Sequence, residues 1–362
     1  MVTSNTYEFG TSTQIDDLIR ESFERIGIIG NEFTGLQIQS AIMSANLELT
    51  SWQGKVPLSW TRKRKMLSMY VGQPIYKLPI NITRIVDVSA IQPTRLNTGG
   101  TATSSAGGVA ANCFDATATA GCTQGSPDGY ISYDYGVGNA YSIQYVGITP
   151  LASQIDYTLA IEYSFDNTNW HLSEQTPATT YFADQIQWFV LENSLNARVW
   201  RIRETAGATL AIQQIYFSQP STTGTGDRYM QALSYTEWMQ IPSKQNTGFP
   251  SAYFFNAQIQ PTLTMWPVLG STAASNQFTA ILYTAYQYSQ DVVRLFQTFD
   301  IPQRFYDALV AGISKRLAQK FDPARLQEAK SYADEAFQLA TLTDYENVTL
   351  RVQPDMSYFG GR

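Results

Sequence analysis

The only histidine, His171, lies in "TNWHLSEQTP" (residues 168–177), so any imidazole acid–base chemistry would have to use it. Its surroundings argue against that. Asp166, Asn167 and Asn169 are turn formers just ahead of it, and no cysteine lies nearby. A general base needs a partner that orients it, so His171 is expected to be a solvated loop residue. Cys113 and Cys122 occupy "ANCFDATATAGC" and could close a small ring. A chain of this size with no other cysteine does not need such a staple, and a reducing compartment is expected. Two cysteines and one histidine are too few for a structural zinc site, so neither metal nor cofactor is expected. Asp16 and Asp17 are adjacent carboxylates at a helix start, where the helix dipole accounts for them. GxxxxGK, GxSxG and HExxH are absent. No enzymatic activity is expected; a glycosidase, needing only two acids placed by the fold, is the least demanding alternative.

Two other residue sets could bind instead of react. The run "TRKRK" (Arg62, Lys63, Arg64, Lys65) is the densest positive cluster and could touch DNA phosphates or a neighbouring subunit. A solvated turn is the simpler expectation for it. Aromatic residues in the central segment, Trp170 and Tyr181, could stack on a sugar ring.

Composition frames these candidates. The chain has 362 residues, 44% hydrophobic, 13% aromatic with 22 Tyr, and only 15% charged, well under the roughly 25% charged of typical soluble domains. Charge-poor, aromatic-rich surfaces suit protein interfaces, and Tyr and Thr also suit strands. No run of about 18 apolar residues occurs, so no membrane partner is expected, and "MVTSNTYEFG" lacks the pattern of a secretory leader.

The net charge of −6 is unevenly spread. No lysine occurs between Lys77 and Lys244, and residues 97–228 carry eleven acids against four arginines. Gly/Ser/Thr-rich stretches, "TRLNTGGTATSSAGGVAA" and "SQPSTTGTGD", flank that segment. The pattern predicts an inserted domain, 96–231, interrupting an outer one formed by 1–95 and 232–362.

The outer part opens with "TSTQIDDLIRESFERIGI", a helix with Thr13 as N-cap and Ile15, Leu18, Ile19, Phe23 and Ile26 on one face. A second helix has a Thr34/Gln37 capping box, a stripe of Leu36, Ile42, Ala45, Leu49 and Trp52, and Gly54 as its stop. "RKMLSMYVGQPIYKLP" and "PTLTMWPVLGSTAASNQFTAILYTAYQ" predict hairpins. Two closing helices follow, with Pro302 and Pro323 in their first turns. Leu309, Ile313 and Leu317 line the first, and Leu326, Ala329, Ala333, Ala336 and Leu339 the second. An extended tail, about 346–362, ends the chain. The insert reads as all-β. "YTLAIEYSF" alternates, and "AYSIQYVGI", "QIQWFVL", "ARVWRIRE" and "ATLAIQQIYF" are further strands at sandwich spacing. The fold class is therefore α+β: a helical-bundle core with short hairpins, interrupted by a jelly-roll-like sandwich.

Two resemblances follow from these stretches. The order of "ERIGI", "ELTSWQ", "LSMYVGQPIYKLPINITRIVDV", "PTLTMWPV" and "DIPQRFYDALVAGISKRLAQKF" resembles the head-to-tail adaptors, or tail accessory factors, of short-tailed bacteriophages. The likeness covers both ends of the chain but not the insert. It implies a virion protein at the head–tail junction, assembled in the host cytoplasm as a homo-oligomeric, dodecameric ring. That ring would join the portal protein to nozzle or tail-hub proteins, and genomic double-stranded DNA would pass through it. By the same likeness, Leu350, Val352, Met356, Tyr358, Phe359 and Arg362 of the tail would dock on the portal, with the aromatic pair as anchors. Separately, "YTLAIEYSFDNTNWHL" and "ARVWRIRETAGATLAIQQIYFS" are similar to discoidin-like (galactose-binding-like) sandwiches. That likeness implies the alternative function, an attachment protein that recognises host glycan.

Overall fold

Apolar residues three and four apart make helices at both ends of the chain, and these helices bury their stripes together. A computed structural model describes residues 13–29, 34–107, 109–115, 121–123, 128–192, 194–205, 207, 209, 211–221, 227–270, 279–342 and 344. The chain forms two compact units, one of residues 1–62 with 286–362 and one of residues 63–285. The boundaries expected at 95/96 and 231/232 both fall inside the second unit, for a reason given below.

In the first unit, α1 (Ile15–Arg25) buries Ile15, Leu18, Ile19 and Phe23. It starts one residue later than expected: Gln14, not Thr13, is the N-cap, and Asp17 Oδ2 accepts the Gln14 N–H at 3.1 Å. α2 (Gly35–Lys55) has the reciprocal cap expected of Thr34 and Gln37. It runs through Gly54 instead of stopping there, and Leu36 is 78% exposed because the stripe begins only at Ala41. A short helix, α3 (Tyr235–Gln240), belongs to the second unit. α4 (Tyr306–Phe321) and α5 (Leu326–Leu342) are each preceded by a single 3-10 turn, Gln303–Phe305 and Pro323–Arg325. Proline suits such entries because the first-turn N–H has no helical partner. Leu309, Ile313 and Leu317 are buried in α4, but α5 packs through Ala333, Ala336 and Ala340 and leaves Leu339 61% exposed. Trp52, 1% exposed, fills the centre, 5.8 Å from Phe305 and 5.2 Å from Phe337.

A buried carboxylate joins two helices of this unit. Glu48, 2% exposed, accepts Arg316 Nε at 2.6 Å, Lys315 Nζ at 3.1 Å and Trp52 Nε1 at 3.2 Å. Burial alone would raise the carboxyl's pKa, but Arg316 and Lys315 outweigh it and hold Glu48 below its usual value. Gly312 on α4 leaves room for this crossing, since a Cβ there would lie 2.6 Å from Glu48 Cγ.

The second unit is mostly β. Its sandwich is built from β1 (Thr101–Ser104), β2 (Tyr130–Asp134), β3 (Tyr145–Pro150), β4 (Leu159–Ser164), β5 (His171–Gln175), β6 (Gln187–Val190), β7 (Val199–Glu204) and β8 (Ala211–Gln219). One sheet runs β5-β4-β7-β2-β1 and the other β6-β3-β8, with Thr94–Arg95 and Cys122–Thr123 also paired to β8. Period-two alternation aims Leu159, Ile161, Trp200, Ile202, Ile131 and Tyr133 into the core between them.

The expected hairpins do not form. Arg62–Ser68 joins Ala280–Gln287, Ile82–Ile91 and Arg228–Tyr229 in one four-stranded sheet, whereas Ile75–Lys77 pairs with Thr262–Trp266 in another. The turns were legible, but long-range pairing overrides local hairpin geometry. Met66, Ile91 and Ala280 from the first of these sheets pack with Tyr145 and Trp188 of the sandwich in one buried cluster. These strands therefore belong with the sandwich, which moves the boundaries outward. Cys113 and Cys122, which could close a small ring although a reducing compartment was expected, form a disulfide that ties the turn Ala110–Cys113 to the short strand beside β8. Both sulfurs lie in the sandwich core, so burial brings the two side chains together.

Two outcomes follow from this packing. Glu48→Gln destabilises the helical unit by about 2–3 kcal/mol in urea unfolding at neutral pH, less than a fully buried pair because Arg316 and Lys315 reach solvent. Since the folded carboxyl titrates below its unfolded value, the wild-type contribution is complete above the ordinary glutamate range. It fades as pH falls through that range, and the variant lacks this dependence. Reducing Cys113–Cys122 lowers the stability of the second unit by about 2–3 kcal/mol, the chain-entropy value for a loop of this size, read as a shifted urea midpoint with and without reductant.

Candidate functional site

The hairpin joining β4 to β5 is fixed by one carboxylate. Asp166 Oδ1 accepts the backbone N–H groups of Thr168 and Asn169, each at 2.8 Å, and the Ser164 hydroxyl at 3.0 Å. Its Oδ2 accepts Asn169 Nδ2 at 2.6 Å. Asn167 takes a left-handed backbone, φ 63°, which asparagine tolerates well. The backbone N–H groups of Asn169 and Thr168 hold the Asp166 carboxyl far below the usual aspartate value.

This locked turn displays aromatic surface. Phe165 is 54% exposed and Leu172 57%. His171 is exposed, but it opens strand β5 and is not a loop residue; its ring stacks on Tyr163 at 5.4 Å and 30°. Trp170 is half-buried, with the Arg201 guanidinium 3.8 Å from its ring centre.

Beneath Trp170 lies a charge network on the outer face of the β5-β4-β7-β2-β1 sheet. Arg201 and Arg203 stand two apart on β7 and therefore share that face, opposite Glu162 of β4. Glu162 Oε2 accepts Arg201 Nε at 2.6 Å, while Oε1 accepts Arg203 Nε at 2.9 Å and Nη2 at 2.8 Å. Arg203 Nη1 also donates to Asp128 at 3.1 Å. The bond to Glu162 raises the Arg203 pKa further above its ordinary value. Next to them, Arg198 grips Asp134 through Nε and Nη2 at 2.8 and 2.6 Å.

The other expected residues go elsewhere. Tyr181, proposed for sugar stacking, is fully buried, with Tyr157 6.2 Å and Phe189 6.2 Å from its ring, so no ligand reaches it. Arg62, Lys63, Arg64 and Lys65 lie on a strand, not a turn. Period two sends alternate residues to opposite faces, so the run does not form one basic patch. Lys63 approaches Glu192 at 4.0 Å, and burial, then Lys63, lowers the Lys65 ammonium's pKa. Leu350, Val352, Met356, Tyr358, Phe359 and Arg362 lie outside the described residues. Among the described residues, no group of three or more His, Cys, Asp or Glu side chains is placed to hold a metal, and no helix is long and apolar enough to cross a membrane.

No family model and no curated protein matches the chain. Among solved structures, it is similar to chitosan-binding module 1 of a Paenibacillus sp. IK-5 chitosanase/glucanase, at 19% identity over 35% of this chain and 99% of that one, TM-score 0.29. It is also similar to the family 32 CBM from C. perfringens NanJ, solved in complex with galactose, at 14% identity over 36% and 99%, TM-score 0.29. A third is the F5/8 type C domain of a Bacteroides fragilis protein, at 10% identity over 36% and 98%, TM-score 0.30.

If Asp166 locks the turn, Asp166→Ala raises amide hydrogen exchange at Thr168 and Asn169 by about tenfold or more while leaving strand amides of β4 and β7 protected. Unchanged exchange at those two amides contradicts the assignment.

Proposed function

We propose that this chain is a non-enzymatic binding protein whose β-sandwich recognises carbohydrate through the β4–β5 hairpin. The observation that carries the reading is the carboxylate-locked turn that exposes Phe165 and His171 and sets the half-buried Trp170 beside Arg201. Sugars offer apolar C–H faces to flat rings and hydroxyls to polar groups, and a preformed site binds them with little ordering cost. The test is a glycan array with the full chain, spanning galactose-, glucosamine- and uronate-containing oligosaccharides, followed by calorimetry on the best ligand. Trp170→Ala is expected to weaken that ligand by about tenfold or more; an array without reproducible binding overturns the proposal.

A second reading has its own support. The first and last segments of the chain share one helical core, in which α1, α2, α4 and α5 bury Phe23, Trp52, Leu309 and Ala336 together. A helical body discontinuous in sequence supports the reading of a phage head-to-tail connector. In that reading the protein sits in the virion, between portal and tail, and genomic DNA passes through the ring. Electron microscopy of the purified protein, alone and with portal, is expected to show closed rings. Deleting residues 350–362 is expected to abolish co-sedimentation with portal but not folding. Particles that stay monomeric in both conditions contradict it.

A further inference from the structure

Arg201 commits the fewest of its donors to the charge network beneath Trp170. Arg203 spends Nε and Nη2 on Glu162 and Nη1 on Asp128. Arg201 spends only Nε; its two terminal nitrogens have no protein partner among the described residues and are not buried. The same holds for the indole N–H of Trp170 and the hydroxyl of Tyr130, whose ring centre lies 5.3 Å from the Arg201 guanidinium. The guanidinium is not free to swing, because a 2.6 Å charge-assisted bond holds one edge and the Trp170 ring lies 3.8 Å from its centre. Three kinds of donor therefore meet on one partly buried patch, around an arginine at 14% side-chain exposure.

Charge favours an anion there. Two arginines share one buried carboxylate, Glu162 at 8% side-chain exposure, while Asp128 at 81% is largely screened by water. A guanidinium fork with two parallel N–H groups matches a carboxylate better than a hydroxyl, and a lysine could not reproduce that geometry. We infer that Arg201 is the carboxylate-reading residue of the sugar site, and that the glycan it takes carries a uronic acid beside the ring stacked at Trp170. This inference rests on the sugar-binding reading above.

The experiment compares α-1,4-digalacturonate with α-1,4-galactobiose, which differ only at C6, by calorimetry with the full chain. The acidic disaccharide is expected to bind about tenfold tighter. That advantage is expected to shrink at about 1 M salt, where the screening length falls to about 3 Å. Arg201→Gln is expected to bring the acid-to-neutral ratio close to one. Leu172→Glu does the same from an exposed position opposite Glu162, so the test survives if the first variant folds poorly. Equal affinity of the wild type for both sugars, or an acid preference retained in both variants, overturns the inference and leaves sugar binding standing. Silence for both disaccharides and across the wider array overturns sugar binding and this inference with it.

Discussion

Glu162 is the constraint on which the candidate site depends. A carboxylate at 6% exposure must be compensated, and here the compensation comes from two arginines on the adjacent strand. Pairing them fixes the register of β4 against β7 at the level where Glu162 faces Arg201. It also fixes where the Arg201 guanidinium lies, and hence where Trp170 can rest. The hairpin beyond is shaped by a second carboxylate, Asp166, which accepts from its own turn. The first acid sets the platform beneath Trp170, and the second sets the turn that follows Phe165.

The two compact units divide the work. In the helical unit, charge is used inwardly: Glu48 joins α2 to α4 through Arg316 and Lys315, and Gly312 gives way so that it can. In the β unit the same chemistry is laid on a sheet face, where an arginine retains unspent donors. The four-stranded sheet holding Met66, Ile91 and Ala280 covers part of the β6-β3-β8 side of the sandwich through Tyr145 and Trp188. The β5-β4-β7-β2-β1 side presents its polar face instead, and that asymmetry selects the face on which recognition is proposed.

Much of the local structure was legible in the sequence. Helical periodicity found the α1 stripe and the α4 stripe, and the Thr34/Gln37 spacing found the α2 cap. The alternation of "YTLAIEYSF" found the strand that became β4. Pairing partners were not legible, because a Gly-Gln-Pro turn reports that the chain bends and not which strand follows it into a sheet. Ile75–Lys77 and Thr262–Trp266 are nearly two hundred residues apart, and nothing local encodes their meeting. Disulfide formation was left open for a related reason: burial of both sulfurs in the sandwich core, not chain length, brings Cys113 to Cys122. Of the two aromatics singled out for stacking, Trp170 is half-buried beside Arg201 and Tyr181 is fully buried, since an aromatic in a short strand looks the same whether it faces in or out. The arginines were missed, although a signal existed: Arg201 and Arg203 at a spacing of two, alternating with the apolar Trp200 and Ile202, and Glu162 as the one acid on the neighbouring strand Leu159–Ser164.

The most direct test is a ligand footprint. Backbone amide and indole chemical-shift changes, mapped while the full chain is titrated with its best array oligosaccharide, report which surface the sugar touches. The account predicts changes concentrated in residues 165–172 and 201–203, including the Trp170 indole. Changes centred on the helical unit, or on the β6-β3-β8 side of the sandwich, would contradict it.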